Sequence, residues 1–405
     1  MKISHRFSDI SNIGPVYLVG GSVRDHILNR PSNDHDFAVP GDARAFAEKV
    51  ATQLGVRVIE IGKNDETVYR VVSGDDTLDF LPTYGKSIED DLKRRDFTVN
   101  GLGYDLRSER LIDPVGAADD IRSETIRLIS QDAVPADPLR MLRAFRFAAV
   151  LGFEIAAETL AVIKKQRRLI AKPAAERICA EMFKMMEVER SFPYLEQMSG
   201  AGLLTEIIPE LEPCRGCLQS RIGRDTPTQT LNAADLRGGS EKISIDPHLK
   251  KGYFQNLPPL SNGSRGDFTR HDHHEWDVFE HAMRTYEEIE KILSPSQADA
   301  APWPEFAEPI NGYLERNDHK VLLKWAALLH DVGKPQTRSV DSTGRVRFLR
   351  HEAEGAKIVS DICTRLRMSA KDGSYVTLVV EKHLRPLLLF DADQRGSLTS
   401  KGIVR

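Results

Sequence analysis

Two hydrophobic periods divide the chain. Val16-Tyr17-Leu18-Val19 is a short apolar run that ends at Gly20-Gly21, and helical spacing begins near Ser22. Asp36-Phe37-Ala38-Val39 predicts a second strand, residues 43–54 a helix, and Val56 to Ile61, Val68 to Val72 and Thr77 to Phe80 further short strands. These make an α/β unit that ends near residue 128. From about 135 to 210 the strand signals give way to helical periodicity. Asp137 and Pro138 read as an N-cap and a proline start. Leu139, Leu142, Phe145 and Ala149 then mark one face of a helix over 139–151, and further helices are expected over 157–167 and 174–187. Residues 218–270, rich in Gly, Ser, Asn, Pro and Arg, have little period and read as a loop-like insertion. Helical spacing resumes near Asp277 and continues, with breaks at 294–304 and 340–346, almost to Arg405. There is no internal repeat.

Composition narrows the class. A length of 405 residues exceeds one ordinary core and predicts two or three domains. No apolar run approaches 18 residues, so no membrane is expected as a partner. The opening MKISHRFSDI lacks the pattern of a secretory signal, and a cytoplasmic protein is expected. Cys214-Arg-Gly-Cys217 has CxxC spacing without a second pair, so these two, Cys179 and Cys363 read as ordinary thiols. With a net charge of −4, a nucleic-acid partner would need a local basic surface. Lys164, Lys165, Arg167 and Arg168 form a basic cluster that a solvated helix end explains as well.

The chemistry begins at the strand-to-helix turn Gly20-Gly21-Ser22-Val23-Arg24-Asp25. Glycines let a backbone approach a triphosphate, and Arg24 adds a charge, although a tight structural turn has the same appearance. Asp34 and Asp36 are two apart at the next strand and share a face, while Asp79 is a third acid on a strand. Carboxylates so close repel unless a cation such as Mg²⁺ lies between them. Metals there would activate a 3′ hydroxyl and stabilise departing pyrophosphate. Simple loop caps remain the alternative. Asp137 and Arg140 are three apart at a helix start. A carboxylate accepts from cytosine N4 or adenine N6, and a guanidinium donates to cytosine N3 and O2 or to adenine N1. Guanine and uracil reverse that pattern and leave buried groups unpaired. N-capping alone would also explain Asp137.

Together LVGGSVRD, NDHDFAV, EDDLKRRDFTVNGLGYDL, LIDPVGAADDI, ADPLRMLRAFRFAAVLGF and AERICAEMFK, in that order over about 16–186, resemble the class II tRNA nucleotidyltransferases. These are the bacterial CCA-adding enzymes and their poly(A) polymerase relatives. The resemblance implies that Asp34 and Asp36 bind the catalytic metals; Asp79, from its place on a strand, is read as a third catalytic acid. The resemblance places Gly20, Gly21, Arg24, Arg95, Asp96 and Asn100 around the nucleotide and makes Asp137 and Arg140 its base readers. Arg143 and Arg146 continue the helical line and could meet phosphates, or belong to a solvated face. Two departures stand out. Ala136 precedes Asp137 where the family usually has Glu-Asp, and only Leu81 to Ile88 separate Asp79-Phe80 from Glu89-Asp90-Asp91-Leu92. In this family a shortened loop there accompanies addition of C without A. The Gly-Arg/Lys-Arg-Phe signature of poly(A) polymerases is absent at Ile61-Gly62-Lys63-Asn64-Asp65.

A second constellation follows. His281 opens a helix, His330-Asp331 ends the apolar run Val321 to Leu329, and His351 and His383 come later. Imidazoles with a carboxylate suit Mn, Ni, Fe or Zn better than Mg²⁺. The pattern resembles the HD phosphohydrolase superfamily, which implies metal-activated hydrolysis of phosphoesters such as 2′,3′-cyclic phosphates. His281, His330, Asp331, His351 and His383 are the implied ligands, with Asp391 or Asp393 as a closing carboxylate. His271, His273 and His274 read as a solvated linker.

The expectation is therefore an α/β nucleotidyltransferase head, with a small mixed sheet and helices, over 1–128. An all-α neck and body over 129–217, the insertion 218–270 and an all-α HD domain over 271–405 follow. The expected activity is template-independent addition of C and A to tRNA from CTP and ATP. The alternatives are CC addition alone, poly(A) addition, or an HD phosphohydrolase whose head only binds RNA.

Overall fold

The computed structural model describes residues 7–62, 67–218, 276–293, 312–314, 318–342 and 344–399. The insertion beyond Leu218, and with it His271, His273 and His274, lies outside them.

The head is built on a seven-stranded sheet in the order β3-β4-β5-β2-β1-β6-β7. Its strands are β1 (Tyr17–Val19), β2 (Asp34–Val39), β3 (Val58–Ile61), β4 (Val68–Ser73), β5 (Asp76–Pro82), β6 (Gly103–Asp105) and β7 (Arg110–Ile112). Only β2 and β5 run parallel, in a register that sets Asp36 opposite Asp79; the other neighbours are antiparallel. The strand predicted at Asp36 begins at Asp34. Strands β6 and β7 were not expected, because three residues are too few to display a period.

Alternation decides which face carries chemistry. On β2 and β5, Phe37, Val39, Leu78 and Phe80 enter the main core under the helices Ser8–Ile13 and Ala43–Leu54. Phe37 and Phe80 stack with centroids 5.0 Å apart. The predicted helix over 43–54 is bounded by Asp42, whose side chain accepts from the Ala45 N–H at 3.0 Å, and by Gly55 at φ 70°. Ala38 points to the opposite face, with Val19, and packs there on Ile88 and Leu92 of the helix Ile88–Lys93. By the same alternation Asp34, Asp36, Asp79 and Arg70 belong to that second face, beside this short helix.

Helices at Arg140–Leu151, Ala157–Gln166 and Ala175–Met186 match the expected ones within a residue or so. A two-residue pairing of Thr125–Ile126 with Glu154–Ile155 ties the first of them to the head. The C-terminal region contains the helices Val278–Leu293, His319–Leu329, His351–Arg365, Ala370–Lys382 and Arg385–Gln394. An antiparallel hairpin, Arg338–Val340 with Val346–Phe348, occupies the predicted break at 340–346.

One continuous cluster of buried apolar side chains runs from the sheet through the middle helices into this C-terminal region. At the join, Phe183 packs on Trp325 and Phe192 on Tyr286. A buried polar knot is set among them. Glu290 accepts from the Ser191 and Phe192 N–H groups at 2.8 and 2.9 Å, capping the helix Phe192–Gly200. Lys324 Nζ donates to Glu290 Oε1 at 2.7 Å and to the Met186 and Val188 carbonyls at 2.8 and 2.7 Å, which finishes the helix Ala175–Met186. Tyr286 and Ser191 share a hydroxyl contact of 2.6 Å.

All four cysteines are free and buried. Burial pushes the Cys214 thiol up to about 12, and those of Cys179 and Cys363 to about 11, so thiolate chemistry is disfavoured at each. No helix among the described residues is long and apolar enough to cross a membrane.

Candidate active sites

The turn between β1 and the helix Gly21–Ile27 needs glycine for its backbone angle, and the missing side chain leaves room for an arginine. Gly20 has φ +70°, and a Cβ there would lie 2.5 Å from Arg95 Nη1. Arg95 thus rests directly on the turn. Ser22, buried behind it, donates its hydroxyl to the Asp34 carbonyl at 3.0 Å and accepts from the Asp36 N–H at 3.3 Å. A single side chain therefore locks the turn to the strand that carries both acids. Asp34 and Asp36 remain exposed to solvent while His35 between them is buried. Surrounding protein pushes the Asp36 carboxyl above its ordinary range; Arg95 opposes this, and Asp79 and Asp34 add to it. A carboxylate so placed gains from a cation.

Asp79 reaches the same face but has a partner. Arg70, opposite it on β4, donates from Nε and Nη2 to its two oxygens, both at 2.7 Å. This two-pronged pair follows from the β4–β5 register, which spacing alone does not reveal.

Arg95, Asp96 and Asn100 do come together with Arg24. Arg24 Nη1 donates to Asn100 Oδ1 at 2.5 Å, and Asn100 Nδ2 donates to Asp96 Oδ1 at 2.9 Å. Arg24 also pairs with Asp25 at 2.8 Å. Asp91, buried, takes Arg95 Nη2 at 3.1 Å. Arg143 and Arg146 form neither a solvated face nor an open line of guanidinium groups. Arg143 pairs with Asp96 at 2.7 Å, and Arg146 donates to Glu181 at 2.5 Å with its guanidinium 3.8 Å over the Phe147 ring. Arg146 is largely buried, and burial lowers its pKa against the pull of Glu181, whereas Arg143 stays 31% exposed.

Asp137 and Arg140 lie at one helix start, though the helix begins at Arg140 rather than just behind Asp137. The Asp137 carboxylate still turns the chain there, accepting from the Leu139 N–H at 3.2 Å, and its other oxygen meets Arg177 at 3.3 Å. Arg140 makes two long contacts, to the Ala133 carbonyl at 3.4 Å and the Arg94 carbonyl at 3.3 Å. Five donors against two acceptors leave capacity for a ligand.

The second site is tighter. His330, His351 and His383 direct Nδ1 at the carbonyls of Ala327, Phe348 and Val380, at 2.9, 2.8 and 2.7 Å. A carbonyl only accepts, so each Nδ1 carries a hydrogen, and each Nε2 can offer its lone pair to a metal when the ring is neutral. Those lone pairs converge. His330 Nε2 is 3.2 Å from His281 Nε2, and His351 Nε2 is 3.3 Å from His383 Nε2. Asp331 lies between the pairs, with Oδ2 3.1 Å from His330 and Oδ1 3.3 Å from His351. Burial alone would raise the Asp331 pKa, but His330, His351 and Lys334 hold it well below the usual carboxylate range. Two groups, His281-His330-Asp331 and Asp331-His351-His383, bring their ligand atoms within 4.8 Å of one another. Facing lone pairs beside a buried carboxylate fit a metal ion. Asp391 pairs with Arg395 at 3.3 Å instead, and neither it nor Asp393 belongs to these groups. Lys334, not singled out from the sequence, sits 2.7 Å from Asp331 Oδ2.

A glycine contact holds this second site in register. A Cβ on Gly333 would lie 2.3 Å from the His351 carbonyl oxygen and 2.4 Å from the Gly355 nitrogen. Gly333→Ala is therefore expected to push the His351–Arg365 helix outward and separate His351 from Asp331. Metal retained per chain after dialysis should fall severalfold while the far-ultraviolet circular dichroism stays that of wild type. Metal content equal to wild type would mean that the close approach does not set the site.

Three family models match the chain: the poly A polymerase head domain over 16–127, the probable RNA and SrmB-binding site of polymerase A over 152–215, and the HD domain over 272–395. An A-adding tRNA nucleotidyltransferase of Deinococcus radiodurans is 29% identical over 384 residues, or 93% of this chain and 70% of that protein. A CC-adding tRNA nucleotidyltransferase of Geobacter sulfurreducens is 42% identical over 188 residues, 46% of this chain and 44% of that one. A multifunctional CCA protein of Stenotrophomonas maltophilia is 28% identical, covering 91% and 75%. Among solved structures, a tRNA-processing enzyme in its apo form superposes with a TM-score of 0.61 over 96% of this chain and 81% of its own, at 19% identity. Polymerase head, RNA-binding and HD segments thus follow one another in this chain, and over nearly its whole length it is similar to tRNA nucleotidyltransferases.

Proposed function

We propose that the chain adds C, and then A, to the 3′ end of tRNA from CTP and ATP without a template, with Mg²⁺ held by Asp34 and Asp36. The observation that carries this reading is the pair of solvent-facing carboxylates locked through Ser22 to the glycine turn on which Arg95 rests. Bound there, the cation would neutralise triphosphate charge and make the attacking hydroxyl more acidic. The chain's own residues do the rest. Arg95 and Arg24 supply positive charge at the turn, and the Arg24–Asn100–Asp96 chain of contacts fixes the floor beneath it. Asp137 and Arg140 present an acceptor and a donor to the base edge, a pattern that C and A complete and that G and U leave unpaired. Positioning supplies most of the acceleration. Asp79, paired through both oxygens with Arg70, has only its remaining lone pairs to offer.

The relatives bear the names of A-adding, CC-adding and multifunctional CCA enzymes, so extension of a tRNA transcript lacking its last three nucleotides decides among them. Three added nucleotides are expected with CTP and ATP together. Two cytidines and no more would make this a CC-adding enzyme. Tailing of unrelated RNA by ATP alone would make it a poly(A) polymerase.

We also infer that the HD domain hydrolyses phosphoesters, 2′,3′-cyclic phosphates among them, with a transition metal held by His281, His330, Asp331, His351 and His383. The convergent Nε2 atoms support this. Removing metal with a chelator should abolish hydrolysis of a 2′,3′-cyclic nucleotide, and Mn, Ni, Fe or Zn should restore it. Hydrolysis that persists in metal-free protein would rule out this role.

A further inference from the structure

Beside the head site stands an aromatic side chain that neither the core nor the nucleotide pocket uses. Tyr84 lies two residues beyond β5 and is 55% exposed. Its backbone is nonetheless held. The Tyr84 N–H donates to Asp91 Oδ1 at 3.2 Å, and the Lys86 N–H to Asp90 Oδ2 at 3.0 Å. Between them Gly85, at φ +77°, packs so closely that a Cβ would lie 2.7 Å from the Asp90 Cβ. The Arg94 guanidinium sits 4.1 Å over the Tyr84 ring. Arg94 is itself more than half exposed, and its closest carboxylate contact is 3.7 Å, to Asp91.

This stacked pair is wired to the site. Asp91, which holds the Tyr84 backbone, also holds Arg95 against Gly20. The Arg94 carbonyl accepts from Arg140, the proposed donor to the incoming base. A ring and a guanidinium in mutual contact, both more than half exposed, offer a flat cationic surface to a second flat group. Stacking of this kind takes any nucleobase, because every base has a π-face.

That indifference identifies the ligand. The incoming nucleotide has to be chosen, which calls for hydrogen-bonding groups such as Asp137 and Arg140. The acceptor end, by contrast, presents a new terminal base after each addition and must be accepted every time. A surface that stacks without reading edges suits the second task and not the first. We propose that Tyr84 and Arg94 form the platform on which the unpaired 3′-terminal base of the RNA acceptor stacks. This rests on the head being the nucleotidyltransferase proposed above.

The test uses the full chain, a tRNA transcript lacking its last three nucleotides, and CTP. Tyr84→Ala should raise the KM for tRNA about tenfold and leave the KM for CTP within about twofold, whereas Tyr84→Phe, which keeps the ring, should behave as wild type. A second arm needs no catalysis: tRNA with 5-iodouridine at its 3′ end, irradiated without nucleotide, should crosslink to Tyr84. If Tyr84→Ala changed only the KM for CTP, changed neither KM, or was mimicked by Tyr84→Phe, the platform would be refuted. Crosslinking confined to other residues would refute it too. A wild-type protein that extends no RNA yet crosslinks at Tyr84 would count against the proposed activity and in favour of the platform.

Discussion

Asp36→Asn is expected to lower nucleotide addition by about 10³-fold or more while the fold and RNA binding persist. The argument rests on how uncomfortable the native charge is. Surrounding protein pushes the Asp36 carboxyl above its ordinary range, and Asp34 and Asp79 push in the same direction. An amide of the same shape relieves that repulsion, so the melting temperature should stay level or rise. What disappears is half of the charge available to a divalent cation, worth several kcal/mol at a reacting phosphoryl group, and each 1.4 kcal/mol or so is a factor of ten in rate. Single-turnover extension of tRNA with Mg²⁺, alongside thermal unfolding of both proteins, makes the comparison. A folded Asp36→Asn protein that extends tRNA at the wild-type rate would remove Asp36 from the chemistry and the proposed metal pair with it.

The second large effect concerns the fold. Lys324→Met should cost about 3–5 kcal/mol, the usual result of stranding one partner of a buried ion pair. Methionine matches the lysine stem out to Cε but has no Nζ and donates nothing. Glu290, 6% exposed, would keep its charge without its cation, and the carbonyls of Met186 and Val188 would lose their donor. Adding Glu290→Gln should recover part of the loss. The amide oxygen can still take a helix N–H, and no bare charge is left inside. Urea unfolding of the single and double variants measures both changes. A loss below about 1 kcal/mol for Lys324→Met would mean that this knot does not hold the two helical regions together.

Much of the head was legible because its signals are local. A glycine pair after an apolar run marks the turn, and two acids at spacing two mark one face of a strand. The HD residues were legible for the same reason: the adjacent pair His330-Asp331 closes the apolar run Val321 to Leu329. What the sequence hid depends on partners far along the chain. Arg143 and Arg146 have the same spacing whether they face water or, as here, Asp96 and Glu181. Arg70 meets Asp79 only through the β4–β5 register. Lys324 lies within the apolar stretch Val321 to Leu329, and its partners at Ser191 and Glu290 are 133 and 34 residues away. Asp391 looked available as a ligand, but it lies on the last helix and pairs with Arg395.

The core shared between the middle helices and the C-terminal region has a thermodynamic consequence. Whatever the four imidazoles bind, they bind only when the helices carrying them are folded, and those helices cannot come apart without uncovering Phe183, Phe192 and the Glu290 knot. A ligand at a thousand times its dissociation constant adds about 4 kcal/mol to whatever unfolds with its site. Occupancy of the HD end is thus linked to the integrity of the middle helices. Starving the protein of that ligand would loosen a region with which the ligand makes no contact.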